Sequence, residues 1–168
     1  MRGTSIIELL IYGAILAFVS LFAINTLLVV TAAFSQARTG RLINSNAEGI
    51  MERVIREIRF AKNVNNASVL GTNPSDVILD TFSSPTDDTA ASVEFSINNK
   101  NLLFKTRTGN TVPLNTSGVT ISLFTAEKIT SASASTTGIK FQLTMQASST
   151  KTSIQKTFYG TAILRGSY

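Results

Sequence analysis

The run LLIYGAILAFVSLFAINTLLVVTAAFSQA, from Leu9 to Ala37, contains no charged residue and decides the architecture of this chain. About 20 apolar residues, each rising about 1.5 Å in a helix, cross a bilayer core of about 30 Å. The run is long enough to do so, and a transmembrane segment is expected over about residues 6–34. A cleavable secretory signal carries an apolar core of only about 7–15 residues, so this run is better read as a retained span. Arg2 precedes it while Arg38 and Arg41 follow it. A count of those charges alone would place the C-terminal side in the cytoplasm.

Past Arg41 the chemistry changes from all-round apolar to one-sided. Ile43, Ala47, Ile50, Val54, Ile58 and Ala61 recur at steps of three and four, the spacing of an amphipathic helix with one buried face. Glu52 with Arg56 and Arg53 with Glu57 are pairs at i,i+4, which read as a solvated stem over about residues 41–62. Span and stem together predict one helix from about Thr4 to Lys62, roughly 90 Å long. Thr39-Gly40 is its only expected weak point, because Gly costs about 1 kcal/mol in a helix interior.

From residue 63 onward Ser, Thr, Asn and Gly alternate with apolar residues. Ile139, Phe141, Leu143 and Met145 interleave with Lys140, Gln142, Thr144 and Gln146, which predicts a strand with one buried and one wet face. Similar runs cover Val77 to Phe82, Val93 to Ile97, Leu102 to Thr106, Val119 to Phe124 and Ile154 to Leu164. Asn98-Asn99-Lys100-Asn101 and Thr108-Gly109-Asn110 are turn sequences that connect the middle strands as a meander. Ser83 to Ser92, Thr130 to Gly138 and Ala147 to Ser153 read as mobile polar loops. The expected fold is α+β: a long N-terminal helix, half transmembrane and half amphipathic, packed on an antiparallel sheet in a head over residues 63–168.

Composition narrows the function. The 168 residues include no Cys and no His, which removes disulfides, thiolate metal sites, the commonest general base and the commonest zinc ligand. No nucleophile motif is present, so no enzyme and no cofactor are expected. Asp87 and Asp88 lack the further spaced acids of a calcium loop, and no metal site is expected. Asn66-Ala67-Ser68 and Asn115-Thr116-Ser117 match the short glycosylation pattern. The net charge of +5 is scattered, although Lys100, Lys105, Arg107 and Lys140 could share a face that binds DNA or another anionic polymer.

One acid stands at the entrance to the apolar run, in Gly3-Thr4-Ser5-Ile6-Ile7-Glu8-Leu9-Leu10. A charge this close to a bilayer is unfavourable, and membrane segments generally avoid it. The string resembles the processing site of type IV pilins and type II secretion pseudopilins. By that resemblance a prepilin peptidase cuts after Gly3, Thr4 becomes the N-methylated amino terminus, and Glu8 is the fifth-position acid that registers subunits during assembly. The stem string Ile50 to Arg59 and the ending Phe158 to Arg165 are similar to J-type minor pseudopilins and W-type minor pilins. There are departures: the leader Met1-Arg2-Gly3 is short and weakly basic, Thr4 stands where Phe or Met is commoner, and the paired cysteines of many pilins are missing.

The resemblance implies a single-pass protein of the cytoplasmic (inner) membrane with an extracytoplasmic C-terminal head, opposite to the simple charge count. Its implied partners are the peptidase, major and minor pilins or pseudopilins, the inner-membrane assembly platform and membrane lipids. Cleavage would leave the Thr4 amine about four residues, or about 6 Å, from Glu8. In a stack of offset helices the carboxylate of one subunit could then meet the terminus of a neighbour, each offsetting the other's desolvation. Gly13, Ala14, Ala17 and Ala23 would permit close helix approach, and Asn25 could bond a neighbouring helix or loosen its own.

Overall fold

Helix α1 runs without a break from Ile6 to Phe60 in a computed structural model, which describes residues 5–84, 87–131, 136–148 and 153–165. At 55 residues it is about 80 Å long. The Thr39-Gly40 step does not interrupt it. Thr39 is buried against the head and its hydroxyl donates to the Ser35 carbonyl at 2.9 Å, so tertiary packing begins where the weak point was expected. Burial of an amphipathic face outweighs the intrinsic penalty of a single Gly.

The head contains two antiparallel sheets where one was expected. The first has β1 (Asn63–Val64), β2 (Val77–Ser84), β3 (Asp87–Asn98), β4 (Asn101–Lys105) and β5 (Thr111–Pro113) in sequence order, the meander foreseen for the middle strands. The second has β6 (Val119–Thr130), β7 (Thr137–Ser148) and β8 (Ser153–Ile163), also in order. The break comes from Asn115. Its side chain is buried, accepts from the Leu102 amide, and donates to Asn101 Oδ1 and to the Val119 carbonyl. These bonds turn the chain between β5 and β6 and leave no free amide at the Asn115 glycosylation pattern.

The segment expected as a loop from Ser83 to Ser92 is mostly hairpin. Thr81 pairs with Ala91, Phe82 with Ala90 and Ser84 with Asp87, extending β2 and β3 beyond their apolar cores. Backbone pairing needs no apolar side chain, and that is why alternation alone does not reveal it. Residues 85–86, residues 132–135 of the small-residue run and residues 149–152 lie outside the described residues, as do the Asp87 and Asp88 side chains. The β3–β4 connection is a two-residue turn with positive φ at Asn99 (49°) and Lys100 (63°), the mirror-image turn that matches strand twist.

The β6 edge of the second sheet is covered by the first half of the head. Gly71 N donates to Ala126 O, Ser75 N to Phe124 O and Lys100 accepts from Ile121 N, all within 2.9 Å. The stem lies mainly on β7 and β8, and its buried stripe Ile43, Ala47, Ile50, Val54 and Ile58 enters one core with Leu79, Phe95, Phe104, Phe124, Phe141 and Leu143. Two stem amides anchor it further: Asn46 Oδ1 accepts from the Thr116 amide and hydroxyl, and Asn44 Oδ1 accepts from Lys156 Nζ at 3.0 Å.

Closest approach occurs at Gly160 in β8. A Cβ there would lie 2.8 Å from the Met51 methyl and still nearer to the Phe141 ring, which stands opposite on β7. Gly160→Ala is therefore expected to destabilise the head by about 1–3 kcal/mol, as overpacked cores do, read from denaturant unfolding of the full chain in detergent.

The salt bridges of the stem divide unexpectedly. Arg56–Glu52 is exposed on both sides, as a solvated stem requires. Glu57 instead is only 2% exposed, lies 3.1 Å from Arg53 and accepts from Arg107 at 2.6 Å. Arg53 Nε is off-axis for a hydrogen bond to Glu57, so that contact is an ion pair only, while its guanidinium carbon sits 4.5 Å over the Phe104 ring. A buried acid is thus shared by the stem and the β4–β5 turn. Glu57→Gln is expected to cost about 1–3 kcal/mol, less than a fully buried pair because both guanidiniums retain solvent, and a double-mutant cycle with Arg107→Met is expected to show coupling.

Candidate functional site

Glu8 lies in the first turn of α1, three residues after the N-cap Ser5. Its amide donates to the Ser5 carbonyl at 2.9 Å, and the Ser5 side chain makes no capping bond. A carboxylate at this position favours the positive end of the helix dipole. Its side chain is exposed, and its one contact among the described residues is a long 3.4 Å bond from the Tyr12 hydroxyl one turn later. No cation reaches it among the described residues. Gly3 and Thr4, the expected cleavage residue and new terminus, lie outside the described residues. Tyr12 was not singled out by pattern, although its i,i+4 spacing from Glu8 is visible in the sequence.

The helix after Glu8 is exposed on every side. An 18-residue window reaches mean hydropathy 2.4 with 0% of it buried, so among the described residues there is one helix long and apolar enough to span a bilayer. Polar residues within this stretch are mostly satisfied locally. Ser20 donates to Leu16 O, Thr26 to Phe22 O and Thr31 to Leu28 O at 2.8–2.9 Å, the arrangement tolerated in hydrocarbon. Asn25 differs: its amide has no partner among the described residues. Gly13 has open space around it, which leaves that face flat.

The four cations of the head do not form one free patch. Lys105 lies 3.6 Å from Glu94, and Arg107 is committed to Glu57. Lys140 stands directly opposite Glu127 on β6, and Lys100 occupies the β3–β4 turn. Among the described residues no group of three or more acids, His or Cys is arranged to hold a metal ion.

Asp76, just before β2, is the one titratable group among the described residues with a displaced pKa. Burial raises its carboxyl above the ordinary 3.8 and the nearby Glu94 raises it further, while Asp76 Oδ1 has no hydrogen-bond partner among the described residues. The folded state therefore disfavours the ionised form. Stability is lowest above the raised native pKa and recovers as pH falls through it toward 3.8. Asp76→Asn is expected to be the more stable form at pH 7, with the difference closing as pH approaches 3.8, measured by denaturant unfolding across that range.

The site left by these observations is the long helix itself: a carboxylate that no cation meets among the described residues, an all-exposed apolar half and a stem whose outward face is exposed. Comparison with protein-family models, with curated proteins and with solved structures finds no match to this chain.

Proposed function

We propose that this chain is a minor pilin or pseudopilin, a non-enzymatic structural subunit of a type IV pilus, competence filament or type II secretion pseudopilus. It is inserted through its single span with the head extracytoplasmic, processed after Gly3 by a prepilin peptidase, and methylated at Thr4. Assembly then moves it from the inner membrane into a filament with other pilins or pseudopilins, where it primes growth or occupies the tip.

The observation that carries this reading is the exposed carboxylate of Glu8, met by the Tyr12 hydroxyl and by no cation among the described residues, at the head of a helix that is exposed and apolar for half its length. In a simple anchor the acid does no more than meet the positive end of the helix dipole, whereas in a packed bundle it would reject misaligned neighbours that leave a buried charge unpaired. The continuous stem supports the reading, because it joins the apolar half to the head in one rigid rod. The alternative, a tethered module for DNA or another anionic polymer, draws on cations of which Lys105 and Arg107 already have carboxylate partners.

Two measurements test the proposal in cells with an active prepilin peptidase. Mass spectrometry of the purified chain is expected to find Thr4 at the amino terminus, and a terminus at Met1 would refute processing. Glu8→Ala is expected to insert normally yet abolish recovery in sheared filaments, and unchanged filament incorporation would refute the registration role.

A further inference from the structure

Of the four strands that end the two sheets, three are short or covered. β1 has two residues, β5 has three and ends in Pro113, and β6 is met by Gly71, Ser75 and Lys100. β8 is the fourth, with eleven residues, no proline and an unbroken register against β7. A long bare edge invites pairing with another chain, and proteins usually blunt it. The parity of this edge follows from Leu164 N, which donates at 3.0 Å to the carbonyl of Thr137, the next pair of the same register. Bonded and non-bonded pairs alternate along an antiparallel ladder. Phe158, Gly160 and Ala162 therefore bond to β7, while Gln155, Thr157, Tyr159 and Thr161 turn their N–H and C=O groups outward. Those four backbones have no partner on the outer side among the described residues.

We infer that the outer edge of β8, with the flank of the stem above it, is a binding site for an extended segment of another polypeptide, which adds to the sheet as a further strand. The inference goes beyond the filament reading and does not require it. Lys156 Nζ reaches Asn44 Oδ1, and Met51 takes the space above Gly160. Spacing by four, three and four residues places Asn44, Glu48, Met51 and Ile55 on that one flank of the helix. Met51 and Ile55 are packed on the core yet only half-buried. A strand laid beside β8 sends alternate side chains to the two faces of the sheet. One set completes the burial of Met51 and Ile55, and the other lies beside Tyr159 and Ile163, which are 65% and 49% exposed.

Charge and direction select the occupant. Lys156 is the one charged residue of β8 and has no carboxylate partner among the described residues. Lysine commonly guards an open edge, but here the ammonium is drawn back to the stem amide of Asn44. The matching segment is about seven residues long, aliphatic or β-branched at alternate positions, with one acid level with Lys156. A second copy of β8 does not fit. From Asn44 beside Lys156 to Met51 beside Gly160, stem and strand advance in the same sense. Antiparallel pairing of two β8 edges would point the two stems, and the apolar halves beyond them, in opposite directions, which chains inserted alike in one bilayer do not do. Parallel pairing in register would set outward N–H groups level with one another, whereas a parallel ladder needs them staggered.

The test uses the isotope-labelled full-length chain in detergent micelles and a short synthetic peptide that alternates valine and threonine, carries one glutamate among the valines and ends in lysines. Exchange of each backbone amide with water is followed by nuclear magnetic resonance. In the free chain the amides of Gln155, Thr157, Tyr159 and Thr161 are expected to exchange fast and those of Phe158 and Gly160 slowly. Peptide at about ten times its dissociation constant is expected to slow the fast set about tenfold. Thr157→Pro removes one outward N–H and leaves the bonds to β7 in place, and it is expected to weaken the peptide about tenfold. Lys156→Glu is expected to weaken it about threefold, and a peptide with lysine in place of its glutamate is expected to recover the loss. The exchange pattern needs no substitution, so it decides the matter even where the proline unsettles the strand. Peptide that leaves the fast set fast overturns the inference, as does binding undiminished in a folded Thr157→Pro chain. Protection of the same amides that rises with chain concentration in the absence of peptide assigns the edge to a second copy and overturns it as well.

Discussion

Everything in this molecule depends on the burial of one stripe of one helix. Ile43, Ala47, Ile50, Val54 and Ile58 are at most 2% exposed, and with Met51 and Ile55 packed beside them they join α1 to the core of the head. Each buried aliphatic side chain of this kind contributes about 1.5–3 kcal/mol. That contact holds the two sheets in one core. It also fixes the direction in which the remaining helix projects, so the geometry of the span is inherited from the packing of the stem.

Polar contacts refine this joint rather than create it. Asn44 and Asn46 reach the β8 strand and the β5–β6 loop, and Glu57 binds the β4–β5 turn through Arg107. The acid is nearly inaccessible while its two arginines are not, so the cluster has a specific geometry at the cost of desolvating one carboxylate. Such a group is weak evidence for stability and good evidence for uniqueness of arrangement. It fixes the rotation of the stem about its own axis, since turning the helix by a residue would bury Glu57 without Arg107. That rotation in turn determines which residues form the outward face.

Much of this was legible in the chain. The periodicity switch between Ala37 and Ile43 marks where all-round apolarity becomes one-sided, and alternation at Ile139 to Met145 identifies a central strand. Both signals report burial, which residue type records directly. The role of Asn115 was not legible, because a buried amide that bonds backbone groups leaves in one dimension only a match to the short glycosylation pattern. Glu57 was misread for a related reason: its i,i+4 partner Arg53 is visible, but Arg107 is brought to it only by the fold. The Ser83–Ser92 hairpin escaped because backbone pairing leaves no apolar signature. Glu8 was legible as an anomaly, and its Tyr12 contact adds little to satisfy it.

The helix therefore meets three environments along one axis, and its residues divide accordingly. Ser20, Thr26 and Thr31 return their hydroxyls to the backbone, which suits hydrocarbon whether that is lipid or neighbouring helices. Glu8 meets no cation and the Asn25 side chain no partner among the described residues, and Arg38, Arg41, Glu48 and Arg59 on the stem have no ion-pair partner among them. A monomer in a bilayer gains nothing from that pattern, because polar groups at Glu8 and Asn25 are unfavourable there and the like-charge neighbours Arg38 with Arg41 and Glu48 with Glu52 oppose the helix. Another helix laid alongside would relieve each of these penalties, which is the assembly proposed above. The same rod that is over-satisfied on its head side is under-satisfied on the other, and that asymmetry is the physical argument for assembly.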